Sequence, residues 1–119
     1  MVIENRAVFF GGSGFIGSRV LEALAKSSRM WNITLVSRQK QRPRHLSSQV
    51  TWVQGDIVHD PRGEWLMSVG QCTHVFYGVQ FPGHPVELKR KGYTYEAYDL
   101  GGLKNVIGGL ELGCRFLLV

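Results

Sequence analysis

The sequence predicts a three-layer α/β fold, in which a parallel sheet of five strands in the order 3-2-1-4-5 is covered by helices on both faces. Three observations carry this expectation. Short apolar or β-branched runs alternate along the chain with segments of helical periodicity. The first run, residues 7–10, is apolar at every position, as a strand buried on both faces must be. That run opens directly into Gly11-Gly12-Ser13-Gly14-Phe15-Ile16-Gly17, where glycines lead into a helix.

The glycine stretch is the organising element. Gly11, Gly14 and Gly17 fall at three-residue intervals. Gly11 is placed to make a tight turn, Gly14 to let phosphate oxygens approach the backbone, and Gly17 to let the helix pack closely on the strands. A strand that turns into a helix N-terminus presents amide N–H groups and a positive dipole end, which suits a pyrophosphate. The expected ligand class is therefore a dinucleotide.

Each later element has its own warrant. The helix after the glycines carries Ile16, Val20, Leu21, Leu24 and Ala25 on one face. Residues 33–37 form a second strand. Residues 38–48 are polar, basic and interrupted by Pro43, and read as a loop with at most a short helical turn. Residues 50–54 form strand three, followed by Gly55-Asp56-Ile57. Residues 62–69 form a short helix with Trp65, Leu66 and Val69 turned inward. Residues 74–77 are strand four, and two prolines and a glycine keep 81–85 a loop. A longer helix covers 93–112, with Leu100, Leu103, Ile107 and Leu110 as its apolar stripe. Its four internal glycines, Gly101, Gly102, Gly108 and Gly109, imply either close approach to sheet or ligand, or local fraying. Residues 115–119 form strand five. Right-handed crossovers then place a ligand crevice between strands one and four, where the glycine turn, Arg38, Asp56 and the loop after Tyr77 converge.

Composition bounds the function. The chain has 119 residues, enough for one domain. There is no run of eighteen apolar residues and no charged segment leading into an apolar core at the N-terminus, so neither a membrane partner nor a secretory leader is expected. Cys72 and Cys114 make no metal spacing. They precede strands expected to be neighbours, and reduced thiols in the cytoplasm are the simpler expectation than a disulfide. The net charge of +5 is concentrated in Arg38, Lys40, Arg42 and Arg44 and in Lys89-Arg90-Lys91. No nucleic-acid-binding motif accompanies these clusters, so no nucleic acid is expected as a partner.

Gly11-Gly12-Ser13-Gly14-Phe15-Ile16-Gly17 resembles the fingerprint of the extended and atypical short-chain dehydrogenases/reductases, the NAD-dependent epimerase/dehydratase group. Gly55-Asp56-Ile57 is similar to that family's Gly-Asp-hydrophobic motif, whose acid contacts the adenine. The stretch from Asp99 to Val106 resembles its pattern Asn-x-x-Gly-Thr-x-Asn-Val: Gly102 and Asn105 match, while Asp99 and Leu103 stand where Asn and Thr are usual. The resemblance implies a Rossmann-like dinucleotide-binding domain over residues 1–119, truncated after strand five. It assigns cofactor contacts to Gly11, Gly12, Ser13, Gly14, Phe15, Ile16, Gly17, Ser37, Arg38, Asp56, Ile57, Gly78 and Val79.

Two departures matter. Tyr77-Gly78-Val79-Gln80 stands where the family shows His-x-Ala-Ala, and the family's catalytic Tyr-x-x-x-Lys is missing. Four residues after Tyr77, Tyr93, Tyr95 and Tyr98 come Phe81, Ala97, Asp99 and Gly102. No catalytic residue is therefore assigned. His84, in the loop near the expected nicotinamide position, reads as an exposed histidine, and Tyr95 and Tyr98 as packing on the sheet.

Cofactor choice rests on the end of strand two. An acid there would hold the ribose hydroxyls of NAD, but Ser37-Arg38 offers a hydroxyl and a guanidinium matched to the 2′-phosphate of NADP, with Lys40 and Arg42 adding field. NADP is expected over NAD. Three functions follow from these residues: a cofactor-binding module without catalysis of its own, an oxidoreductase completed by further residues, or an interaction protein that keeps the fold without the ligand. The unprotected apolar edge of strand five predicts a homodimer.

Overall fold

A computed structural model describes residues 5–11, 15–27, 30–44, 46–110 and 114–118, with the side chains of residues 15, 16 and 118 outside that description. Five parallel strands, β1 (Asn5–Phe10), β2 (Trp31–Ser37), β3 (Val50–Gln54), β4 (His74–Tyr77) and β5 (Arg115–Leu118), form one sheet in the order β3-β2-β1-β4-β5. This is the expected order, with β1 and β2 extending two residues earlier than expected because Asn5 and Arg6 pair in register with Trp31 and Asn32.

The alternation of side chains along each strand builds two cores. Ala7 and Phe9 of β1 join Ile33, Leu35, Val50 and Phe76 on one face, beneath Leu21 of α1 (Phe15–Ala25). Val20, Leu24 and Ala25 complete that contact. Val8 and Phe10 face the other way, with Val36, Val75 and Tyr77, and are covered by Trp65 and Val69 of α2 (Trp65–Gly70) and by Val106 of α3 (Leu103–Gly108). The Trp65 ring meets Phe10 edge-on at 5.7 Å and its indole N–H donates to the Asp60 carbonyl at 2.9 Å. A tryptophan needs such a partner to be buried fully.

The expected helix over 93–112 is built differently. After a 3-10 turn at Lys89–Lys91, the chain winds as a π-helix over Glu96–Gly102 and tightens into α3 only at Leu103. The wider π turn rotates the inward face. Tyr98, Gly102 and Val106 are buried, whereas Leu100 and Ile107, expected in the apolar stripe, are more than half exposed. Leu103 and Leu110 do pack against the core. Gly102 sits flush on Tyr77, where a Cβ would lie 2.6 Å from the phenol oxygen, so the most closely packed position carries no apolar side chain for the periodicity to reveal. Tyr95 also departs from expectation: it is 40% exposed and stacks edge-on against Phe81 in the loop after β4 rather than on the sheet. Leu112 and Val119 lie outside the described residues.

Cys72 and Cys114, at the entries to β4 and β5, bring their sulfurs within 3.5 Å without forming a disulfide. No helix among the described residues is long and apolar enough to cross a membrane.

Gly11 ends β1 with φ +82°, and a Cβ there would stand 2.5 Å from the Gly78 carbonyl oxygen. Left-handed backbone and a backbone collision add, so Gly11→Ala should destabilise the fold by roughly 2–5 kcal/mol, read from urea unfolding. A loss below about 0.5 kcal/mol would show that the β1–β4 junction relaxes freely.

Candidate nucleotide-binding site

At the carboxyl ends of β1, β2, β3 and β4 the strand order reverses, and a cleft opens there for a physical reason. Crossovers leave in opposite directions from β1 and β4, so no helix fills the gap. The cavity measures about 220 Å³. Its floor is Phe10, Gly11 and Gly78; Ser37 and Arg38 come from the end of β2, Asp56, Ile57 and Val58 from the turn after β3, and Val79 and Gln80 from the loop after β4. Tyr98 closes the wall.

Ladder bonds continue past the strand ends and fix these walls. The Gly78 amide donates to the Phe10 carbonyl at 2.8 Å, and the Gly55 amide to the Ser37 carbonyl at 2.8 Å. The first brings Gly11 against Gly78; the second brings Ser37 and Arg38 alongside the Asp56 turn. The path after β4 accommodates the unusual Val79 and Gln80 by burying part of Val79 on the core and leaving Gln80 exposed.

Asp56 is held by its own turn. Its Oδ1 accepts the amides of Val58 and His59, each at 3.1 Å, and its Oδ2 lies 2.9 Å from His59 Nδ1. Burial raises its pKa, but the His59 side chain and the two amides outweigh that and leave it below the ordinary carboxylate value. Ser37 Oγ accepts the Trp52 indole N–H at 2.8 Å, which leaves its own proton to donate. Arg38 donates to the Tyr98 hydroxyl at 3.2 Å, with its guanidinium 5.7 Å from the ring centroid. Asn105, from α3, donates to the Ile57 carbonyl at 2.7 Å and so pins the Asp56 turn from below.

The cleft thus brings together Gly11, Ser37, Arg38, Asp56, Ile57, Gly78 and Val79 as expected. Gly17 is buried in α1. Gly12, Ser13 and Gly14 lie outside the described residues, as do the side chains of Phe15 and Ile16. Arg42 has a structural task as well as its charge: its guanidinium donates to the carbonyls of Ser47 and Val50 at 2.7 and 2.8 Å and ties the loop down. Two contributors were missed by motif reading. Asn105 was seen only as a match to a pattern, and Tyr98 only as a packing residue; no local spacing announces that a π turn will aim that phenol at Arg38.

Among the described residues, neither phenol at the cleft is disposed to give up its proton near neutrality. Burial, with the nearby Asp99 carboxylate, pushes the Tyr77 phenol far up, and its hydroxyl donates to the Tyr98 carbonyl at 2.6 Å. Burial also raises Tyr98. His84 is exposed, beside Phe81 and Tyr95. Among the described residues no group of His, Cys, Asp and Glu could hold a metal ion.

Fold and cleft define a doubly wound, Rossmann-like α/β domain. The sequence profile of the NAD dependent epimerase/dehydratase family matches residues 7–115, and the chain belongs to that family. Solved structures share its fold. The PbgP3 protein from Burkholderia pseudomallei matches with TM-score 0.72 at 17% identity, over 98% of this chain and 35% of that one. WbmG from Bordetella bronchiseptica, in complex with NAD, matches with TM-score 0.69 at 16% identity, over 98% of this chain and 37% of that one. A UDP-glucuronic acid 4-epimerase variant from Bacillus cereus, in complex with a fluorinated UDP-glucuronic acid and NAD, matches with TM-score 0.71 at 16% identity, over 95% of this chain and 39% of that one. The chain therefore spans between a third and two-fifths of the length of these structures. No curated protein matches its sequence.

The Asp56 turn carries a pH signature. A carboxylate whose folded-state pKa is depressed stabilises the fold fully above its ordinary value of 3.8 and loses that contribution as pH falls from there through the depressed value. Asp56→Asn keeps an acceptor for the amides but not the charge. Wild type should therefore be the more stable above that range, and the gap should close as the pH falls through it, read as thermal midpoints across pH. A gap independent of pH would contradict the assignment.

Proposed function

We propose that this chain is an NADP-binding domain equivalent to the N-terminal cofactor half of an epimerase/dehydratase or reductase, and that it carries out no hydride transfer by itself. The observation that carries the reading is Arg38 at the end of β2, lining the cleft beside a Ser37 hydroxyl that has a proton to give. A guanidinium and a hydroxyl at that place suit the 2′-phosphate of NADP. Asp56, across the cleft, is engaged by the amides of its own turn and by His59. Ile57, Val58 and Val79 offer apolar surface for the adenine. The glycines from Gly11 to Gly17 supply the pyrophosphate turn. NAD accompanies WbmG and the Bacillus cereus epimerase variant; here Arg38, at the place where an acid would favour NAD, turns the preference.

When bound, the nicotinamide supplies the hydride donor or acceptor. This chain's residues bind and orient the adenosine half, and none of its tyrosines has the lysine four residues on that would lower its pKa. Two neighbouring thiols not joined by a disulfide fit a reducing compartment such as the cytoplasm.

The partner is a second copy. Phe116 and Leu117 on β5 are 36% and 53% exposed, on a strand that among the described residues pairs only with β4. Antiparallel pairing of two β5 edges across a two-fold axis would continue the sheet. Leu117→Lys should shift the sedimentation profile toward monomer; a wild-type chain that stays monomeric at high concentration overturns the dimer.

Calorimetric titration with NADPH and NADH at matched salt tests the main reading. One charge-assisted contact is worth roughly 1.5–3 kcal/mol, so Arg38→Ala should weaken NADPH tenfold or more and leave NADH nearly unchanged. Equal losses for both would refute the role of Arg38. Binding of neither cofactor by wild type would favour the other reading, an interaction protein that keeps the fold alone.

A further inference from the structure

Among the described residues, no carboxylate holds the Arg38 cation at the cleft mouth. Its partner there is a neutral phenol, the hydroxyl of Tyr98 at 3.2 Å, with the Tyr98 ring 5.7 Å below the guanidinium. Arginine cannot accept a hydrogen bond, so the direction of this contact is fixed. A neutral acceptor orients a guanidinium without neutralising it, and one nitrogen engaged leaves the rest of the planar fork to reach a phosphate.

Tyr98 is itself immobile. It is fully buried. Its carbonyl accepts the Tyr77 hydroxyl at 2.6 Å, its amide donates to the Thr94 carbonyl at 3.1 Å, and its ring packs edge-on against Phe81 and Tyr93 at 6.1 and 6.4 Å. Arg38, by contrast, is an exposed side chain at the start of a loop, with all the rotamer freedom of arginine to lose on binding. A rigid phenol that holds a flexible guanidinium lowers that loss before any ligand arrives. The π turn gives Tyr98 this place, since it turns residue 98 rather than Leu100 inward.

We infer that Tyr98 is a positioning residue that fixes Arg38 over the cleft and thereby sets the preference for a ribose 2′-phosphate. This rests on the cleft being the NADP site. Tyr98 acts through Arg38: its fully buried hydroxyl is engaged by the guanidinium, which stands between it and the solvent side of the cleft.

The test is the discrimination between cofactors. Wild type, Tyr98→Phe, Arg38→Ala and the double variant are titrated with NADPH, NADH, 2′-AMP and 5′-AMP. Tyr98→Phe keeps the ring and removes only the acceptor. It should weaken NADPH and 2′-AMP roughly threefold to tenfold and leave NADH and 5′-AMP within about twofold. In the Arg38→Ala background the same change should do nothing further. Unchanged NADPH affinity overturns the inference, and so does an equal loss for both cofactors, which marks a merely structural role. Wild type that binds neither NADPH nor NADH overturns the cofactor reading and this inference together, a result distinct from those two. The inference can also be read in the wild-type chain alone. By ¹⁵N relaxation, the Arg38 side-chain Nε should be markedly more rigid than that of Arg90, which is exposed in the basic turn; equal mobility overturns it whether or not Tyr98→Phe folds.

Discussion

The approach of Gly11 to the backbone of Gly78 is the constraint on which the cleft depends. β1 and β4 are neighbours in the sheet but far apart in sequence, and their chains must part in opposite directions just beyond the last ladder bond. The Gly78 amide closes that ladder on the Phe10 carbonyl at 2.8 Å, which leaves Gly11 so near the Gly78 carbonyl that no side chain fits. A left-handed φ at Gly11 then turns the chain away from the sheet. Without that turn β1 would run on over the carboxyl edge, and the space bounded by Ser37, Asp56 and Val79 would be filled.

From that junction a chain of contacts leads to the cleft's only aimed cation among the described residues. Tyr77, the last residue of β4, reaches across to the carbonyl of Tyr98, and Gly102 leaves room for its phenol. Tyr98 in turn meets Arg38. Core packing, the π turn and the charge at the end of β2 are therefore linked through two phenols. On the opposite wall Asn105 supports the Asp56 turn through the Ile57 carbonyl. The residues that bound the cleft are thus set by bonds that begin in the two cores rather than by the loops that carry them.

The strand order and the position of the cleft were legible because they follow from strong local signals: apolar strands, glycines at a strand-to-helix turn, and the handedness of crossovers. Ser37, Arg38 and Asp56 were legible because they sit at or within two residues of a strand's carboxyl end: Ser37 closes β2, Arg38 follows it, and Asp56 comes two residues after β3. The face of the third helix was not. Leu100 and Ile107 have the right hydrophobicity at α-helical spacing, but a π turn shifts the phase, and the buried positions are a tyrosine and a glycine whose value lies in shape. The role of Arg42 was hidden for a related reason. A guanidinium that binds backbone carbonyls within its own loop looks, in sequence, like one more charge in a basic cluster.

The central claim is that the cleft between β1 and β4 receives a dinucleotide with its adenosine end against Arg38. Mapping of backbone amide shifts in ¹H–¹⁵N spectra during titration with NADPH tests it most directly. The account predicts that the largest shifts fall on Gly11, Ser37, Arg38, the turn from Gly55 to Val58, and Gly78 to Gln80. Titration with NADH should reproduce the shifts at Gly11 and Gly78 and reduce those at Ser37 and Arg38. Shifts centred instead on Val20, Leu24 and Leu117, on the opposite face of the sheet, or no shifts at all, would contradict it.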